Sequence, residues 1–286
     1  KAIGCFTEVI RFQREFAEAR TTIGTAMPAQ GRNEEAMQQF AEAIRIDPEL
    51  LQAHSNLGVA LFRAGKLDEA AARYAAVLKI KPDYVDARSN LAVVLSKQGK
   101  LDEASQQFAE AIRIAPNFAD AQVGLGMILV GRGKLEQGIV HLARAAELRP
   151  DSPQFHYQLA LALAQQPKWG EAIQHFHEAV RLQPDWSEAL NRLAWILATH
   201  NDAKFRDGAE SLRLAERVCD LTGRRHPIPL NTLAAAYAEV GRFEDAAIAA
   251  RQALDLAAAA GQTGLANQIQ TRLNLYRAGK TSHEIP

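Results

Sequence analysis

Pro48, Pro82, Pro116, Pro150 and Pro184 stand 34 residues apart, and the residues between them repeat in step. Two neighbouring copies show the pattern best: LQAHSNLGVALFRAGKLDEAAARYAAVLKIKPDY over 51–84 and VDARSNLAVVLSKQGKLDEASQQFAEAIRIAPNF over 85–118. A fixed period of this size limits the fold sharply. One unit is too short to bury its own apolar face, so successive units must stack and build a continuous core. Within 51–84 the spacing predicts two helices. The first carries Leu57, Gly58 and Leu61 and ends at Gly65. The second opens at Lys66-Leu67-Asp68-Glu69 and presents Ala70, Tyr74, Val77, Leu78 and Ile80 on one face. Pro82 stops it, because proline cannot continue a helix and restricts the residue before it. Gly58 and Ala70 are small where the two helices should approach most closely.

These residues and their spacing are those of the tetratricopeptide repeat (TPR), a family that the chain resembles over nearly its whole length. The resemblance implies an all-α fold: a right-handed superhelix, or α-solenoid, of antiparallel helix pairs A and B with a C-terminal capping helix. In that register, regular repeats are expected at 17–50, 51–84, 85–118, 119–152 and 153–186. A repeat with lengthened loops follows at 187–226, then a further repeat at 227–261, a capping helix at 262–279 and a frayed tail at 280–286. Residues 1–16 place Ala2 and Phe6 where Ala70 and Tyr74 fall, so they are expected to be helix B of a truncated repeat, the rest of which lies in a longer protein. Asn201–Arg206 lengthens one loop and His226-Pro227-Ile228-Pro229 another, and both should project from one edge of the stack. In the capping helix Leu265, Ile269, Leu273 and Tyr276 form the apolar face, while Asn267, Gln268, Gln270, Arg272 and Asn274 form the hydrophilic one.

Residues 193–200, 221–223 and 275–280 are also similar to the C-terminal ends of bacterial TPR proteins, some of which follow a membrane segment resembling lipid-linked-sugar glycosyltransferases. That similarity implies a bacterial source, with cytoplasmic and periplasmic placements both open. A formal net charge of zero gives no bulk reason to expect nucleic acid or an anionic membrane as partner. No apolar run reaches the roughly 18 residues of a spanning helix, so no direct membrane insertion of this chain is expected. Cys5 and Cys219 lie too far apart in a stack to approach the roughly 6 Å Cα separation of a disulfide, and both read as small buried apolar residues.

The residues offer little to catalysis. Gly279-Lys280-Thr281 ends like a phosphate-binding loop, but the motif's first glycine would fall at Asn274, after a helix instead of a strand. His177-Glu178 lacks a second histidine, since Arg181 stands there. His175 and His177 point about 200° apart on a helix and cannot share a metal. Glu171 and His175 share a face but make only two ligands, so a surface pair is expected. Asp68-Glu69 and Asp102-Glu103 occupy first helical turns, where acidic residues favour the helix dipole. No active site, cofactor or metal is expected.

The resemblance therefore directs attention to the concave wall that helix A lines in the family. Position six of successive repeats gives Thr22, Asn56, Asn90, Gly124, Gln158 and Arg192, and position nine gives Thr25, Val59, Val93, Met127, Leu161 and Trp195. Asn56 and Asn90 resemble the first rungs of the asparagine ladder by which some TPR superhelices hold a peptide backbone. Each amide offers both a donor and an acceptor regardless of peptide sequence, but Gly124 interrupts the series. The family's clamp for acidic C-terminal tails is not matched, because Thr21, Thr25, Asn56, Asp86 and Asn90 stand where lysine, asparagine and arginine are needed. The expectation is a non-catalytic scaffold binding an extended polypeptide through Asn56, Asn90, Ser55, Ser89, Val59, Phe62, Val93, Met127, Gln158, Arg192 and Trp195. The rivals are a self-assembling scaffold that forms homo-oligomers through its terminal repeats, and the soluble recruiting domain of a larger glycosyltransferase-like membrane protein.

Overall fold

In the computed structural model the description covers residues 2–284, with side chains from 11 to 283, and contains fifteen α-helices and no strand among those residues. The chain forms two compact units, residues 1–148 and 149–286. In the first, α1 (Ala2–Ala26) pairs with α2 (Asn33–Ile46), α3 (Leu51–Arg63) with α4 (Leu67–Ile80), α5 (Val85–Lys97) with α6 (Leu101–Ile114), and α7 (Ala119–Gly131) with α8 (Leu135–Leu148). In the second, α9 (Pro153–Gln165) pairs with α10 (Trp169–Leu182), α11 (Ser187–Thr199) with α12 (Gly208–Leu221), and α13 (Pro227–Glu239) with α14 (Phe243–Ala259); α15 (Thr263–Arg277) packs on α14.

In the first pairs the close contact is between a small residue on one helix and a ring on the other. Tyr74 of α4 is buried against Gly58 of α3, where an added Cβ would lie 2.8 Å from the ring. Gly24 and Phe40 repeat the arrangement at 2.6 Å. Burying each ring contributes about 1.5–3 kcal/mol relative to exposing it. Between paired helices the chain turns through glycine in the left-handed region, as at Gly65 (φ 76°), a conformation that costs L-residues with a Cβ. Pro167 holds this turn position in the fifth repeat, with φ 25°.

A second repeating contact ties four of the pairs to the turn before them. The fourth residue of helix A reaches a proline carbonyl six residues back: His54 Nε2 to Pro48 O at 2.9 Å, Arg88 Nη2 to Pro82 O at 2.7 Å, Gln122 Nε2 to Pro116 O at 3.1 Å and His156 Nε2 to Pro150 O at 3.1 Å. In four repeats the residue at this position also reaches helix B nineteen positions on. Arg20 donates to Gln39 (2.8 Å), Arg88 to Gln107 (2.9 Å), and Gln122 meets His141 (2.7 Å). His156 meets His175 at 3.0 Å between Nδ1 atoms, with the rings stacked 5.2 Å apart. The recurring proline therefore has two uses: it ends one helix, and its unpaired carbonyl anchors the next.

Four expectations need correction. Residues 1–16 do not form a separate helix, because α1 runs unbroken through the expected boundary. Arg14 stands at the register position of the prolines, so nothing breaks the helix. The roles expected of Ala2, Cys5 and Phe6 fall on side chains outside the described residues. The tail is not frayed up to residue 283: Ser282 is buried, its Oγ 2.5 Å from Tyr276 Oη, and His283 Nδ1 lies 3.2 Å from Glu239. His175 pairs with His156 across α9 and α10, and not with Glu171 along its own helix. Nor does the loop at 201–206 project freely. Arg206 donates to Glu239 at 2.9 Å and to the carbonyls of His200 and Asn201, and Phe205 packs edge-on against His200. Cys219 is buried as expected, which raises its thiol pKa to about 11.

Candidate peptide-binding surfaces

In unit 1, Asn56 and Val59 of α3 line a cavity of about 310 Å³ with Thr25 of α1, Met37 and Phe40 of α2, and Arg63. Asn56 Oδ1 accepts from Gln52 Nε2 at 3.0 Å, while its Nδ2 is buried with no partner among the described residues. The Ser55 Oγ on the same helix is likewise buried and unpaired. An unpaired buried donor costs about 1–3 kcal/mol, and a ligand acceptor placed there would recover it. Further along, Val93 on α5 is 38% exposed and Met127 on α7 is 46% exposed, so neither is used up in packing between repeats. Asn90 is half-buried and Ser89 buried, while Val59 and Phe62 pack partly against the core around Leu57, Leu61 and Tyr74. The break at Gly124 has a steric cause: the Phe108 ring of α6 occupies the space that any Cβ at 124 would enter.

Unit 2 builds a different surface. Gln158 on α9 is half-buried, apart from the cavities to which Arg192 and Trp195 of α11 contribute. Arg192 and Trp195 line two adjoining cavities, one of about 680 Å³ with Leu161 and His200, the other of about 840 Å³ between α11, α13 and α15. Trp169, His200 and Phe205 form an edge-to-face series beside the first, with ring centroids 4.8 and 4.9 Å apart. In the second, the Arg272 guanidinium lies 4.7 Å over the Trp195 ring. Arg272 was expected on the hydrophilic outer face of the cap. It is half-buried instead, and burial pushes its pKa down against a smaller opposing effect of Tyr276. Asn191 and Asn231 line the same cavity, and each has a buried Oδ1 with no partner among the described residues.

The sequence reading placed neither Asn191, Asn231 nor Arg272 at a binding surface. Asn191 and Asn231 both occupy the fifth position of helix A, the position of Ser55 and Ser89, but the lengthened loops separate them by 40 residues instead of 34. Arg272 lies on the cap, outside the repeat register. Among the described residues no group of three or more His, Cys, Asp or Glu side chains could hold a metal ion, and no helix is long and apolar enough to cross a membrane.

Tetratricopeptide-repeat family models match residues 26–65, 61–125, 123–185 and 157–204, together more than half of the chain. The chain is a tetratricopeptide-repeat protein, an all-α solenoid of helix pairs. Solved structures agree. MamA residues 41 to the end, from Desulfovibrio magneticus RS-1, is 25% identical, covering 59% of this chain and 96% of that one with a TM-score of 0.51. The Pseudomonas aeruginosa pilF protein is 20% identical, covering 74% and 94% with a TM-score of 0.63. The thermophilic TPR protein TTC0263 of Thermus thermophilus is 21% identical, covering 62% and 97% with a TM-score of 0.53. The last two likenesses bear on the fold alone. No curated protein matches the chain.

Proposed function

We propose that this chain is a non-catalytic interaction scaffold that holds an extended polypeptide against the helix-A faces of its repeats. The observation that supports this reading most is Asn56, which lines a cavity beside Val59 and whose buried Nδ2 has no partner among the described residues. A backbone carbonyl would complete that amide whatever the peptide's sequence, and the exposed Val93 and Met127 would take apolar side chains further along. Asn90, Ser55, Ser89 and Phe62 belong to the same surface, and Gln158, Arg192 and Trp195 to its counterpart in unit 2.

The test is direct binding of an array of terminally blocked peptides to the full chain, with Asn56→Ala/Asn90→Ala alongside. The double variant should weaken retained peptides by roughly 1–3 kcal/mol in total through lost hydrogen bonds. An unchanged Kd for every peptide would remove the asparagine pair from the binding surface.

A second reading, association between copies, is favoured by α1, which exposes Phe12 (59%), Phe16 (54%) and Ile23 (52%). A molar mass that rises with concentration, and no longer does so in Phe12→Ser/Phe16→Ser, is the expected result under that reading.

A further inference from the structure

The unit 2 cavity carries a charge that the groove-binding reading does not use. Arg272 sits half-buried on the face of Trp195, and among the described residues no carboxylate lies within ion-pairing distance of it. The one acidic side chain lining the cavity, Glu188, is engaged elsewhere: Tyr157 Oη donates to its Oε1 at 2.8 Å. Burial works against the Arg272 cation, and Tyr276 and the indole face of Trp195 offset that only in part. Beside it Asn231 is only 6% exposed, and its Oδ1, like that of Asn191, lacks a donor.

We propose that the cavity between α11, α13 and α15 binds an extended peptide segment through an acidic side chain, with Arg272 as the charged anchor and Asn191 and Asn231 accepting from the peptide's main-chain N–H groups. This rests on the groove-binding reading and names the partner's chemistry. The unpaired groups match such a ligand in kind. A planar guanidinium whose π face is already occupied by Trp195 offers its N–H edge to a carboxylate, and two amide oxygens call for donors, which a carboxylate alone does not supply but a peptide backbone does. The acid belongs to an internal side chain and not to a chain end, because Arg192 and Trp195 line both adjoining cavities, so the groove continues past the anchor. Ile228 and Leu265, which also line this cavity, provide apolar contact for the flanking residues.

The experiment titrates the full chain with fluorescein-labelled peptides drawn from array positives, acetylated and amidated at their ends, in matched pairs with Glu or Gln at the centre. Tryptophan emission, to which Trp169, Trp186 and Trp195 all contribute, is followed in parallel. Wild type should prefer Glu over Gln by about tenfold, the size of one charge-assisted hydrogen-bonded contact. Arg272→Gln should reduce that preference to near unity. Arg272→Lys, which keeps the charge but loses the planar fork, should fall between. Asn231→Ala should weaken both members of a pair alike. Thermal melts monitored by circular dichroism confirm folding, and if Arg272→Gln does not fold, the Lys variant carries the comparison. Equal wild-type affinity for Glu and Gln peptides, or a preference that survives Arg272→Gln, overturns the proposal and leaves groove binding standing. The same peptides left with a free C-terminal carboxylate are titrated alongside, and tighter binding of these with no Glu preference in the amidated set overturns it in favour of a chain end. Failure of wild type to bind any array peptide removes the groove-binding reading and this proposal with it.

Discussion

The two units use the same helix pair to make surfaces of different character. In unit 1 Val59, Val93 and Met127 recur at one register of the helix-A face, and the Asn56 amide is a polar group with a buried, unpartnered donor among the described residues. In unit 2 that register carries Trp195, and the polar groups around it are two asparagine oxygens and an unpaired guanidinium. Regular repetition produces a stripe of like residues. A lengthened loop and a cap helix, by contrast, bring together side chains that no period relates. On the proposed reading the regular repeats supply shape and backbone contacts to a ligand, and the departures from the repeat supply distinct charges.

The largest test of this contrast asks why the unit 1 series stops. If the interruption at Gly124 is steric, restoring the rung with Gly124→Asn will push the side chain into Phe108 and lower stability by about 1–3 kcal/mol, read from urea unfolding. Gly124→Asn/Phe108→Leu should recover part of that loss, since the smaller side chain vacates the ring's space. Additive losses in the double variant would mean that the two positions do not compete.

Much of the fold could be read in the sequence because its determinants are local and repeated. The proline, glycine and ring positions recur in register, and each errs only where the local residue differs, as Arg14 does at the proline position of α1. The position-four contact could have been read from His54, Arg88, Gln122 and His156, which stand 34 residues apart. It escaped notice because their chemistries differ while their bonding geometry is shared. The unit 2 surface was harder to read. Arg272 has the polar identity of an outward-facing cap residue, and only the approach of α15 to α11 turns it onto Trp195. Residue type alone does not reveal such a contact. Asn231 was hidden by the insertion that shifted its register by six residues.

A smaller effect is expected at the turn between α9 and α10. Pro167 stands where other repeats have a left-handed glycine, and its φ of 25° lies far from the roughly −65° that a proline ring prefers. Pro167→Gly should raise stability by about 1 kcal/mol. Relief of roughly 1–3 kcal/mol of backbone strain is partly offset by the extra freedom that glycine gives the unfolded chain. A lowered melting temperature would show that the proline's restriction of the unfolded chain outweighs the strain.

The smallest effect separates repeats whose position-four contact titrates from those where it does not. His156 donates through Nε2 to Pro150 O, which leaves its Nδ1 to accept from His175. Burial, then the neighbouring His156, lowers the His175 pKa, while Glu171 and Glu178 on α10 act in the opposite sense. A histidine whose folded pKa lies below its unfolded value of about 6.5 takes its proton more readily in the unfolded chain. Its contribution is therefore level above about pH 6.5 and is lost as pH falls below that value towards the folded pKa. His141 of α8 is shifted in the same direction by burial, so two contacts weaken in this window. The Arg88–Gln107 contact has no group that titrates there. His175→Gln copies its partner type and should flatten part of the stability loss between neutral and mildly acid pH, with His141→Gln flattening a further part. Parallel stability–pH curves for His175→Gln and wild type in urea titrations would show that the stacked histidines exert no linkage and that the position-four contact is equivalent in every repeat.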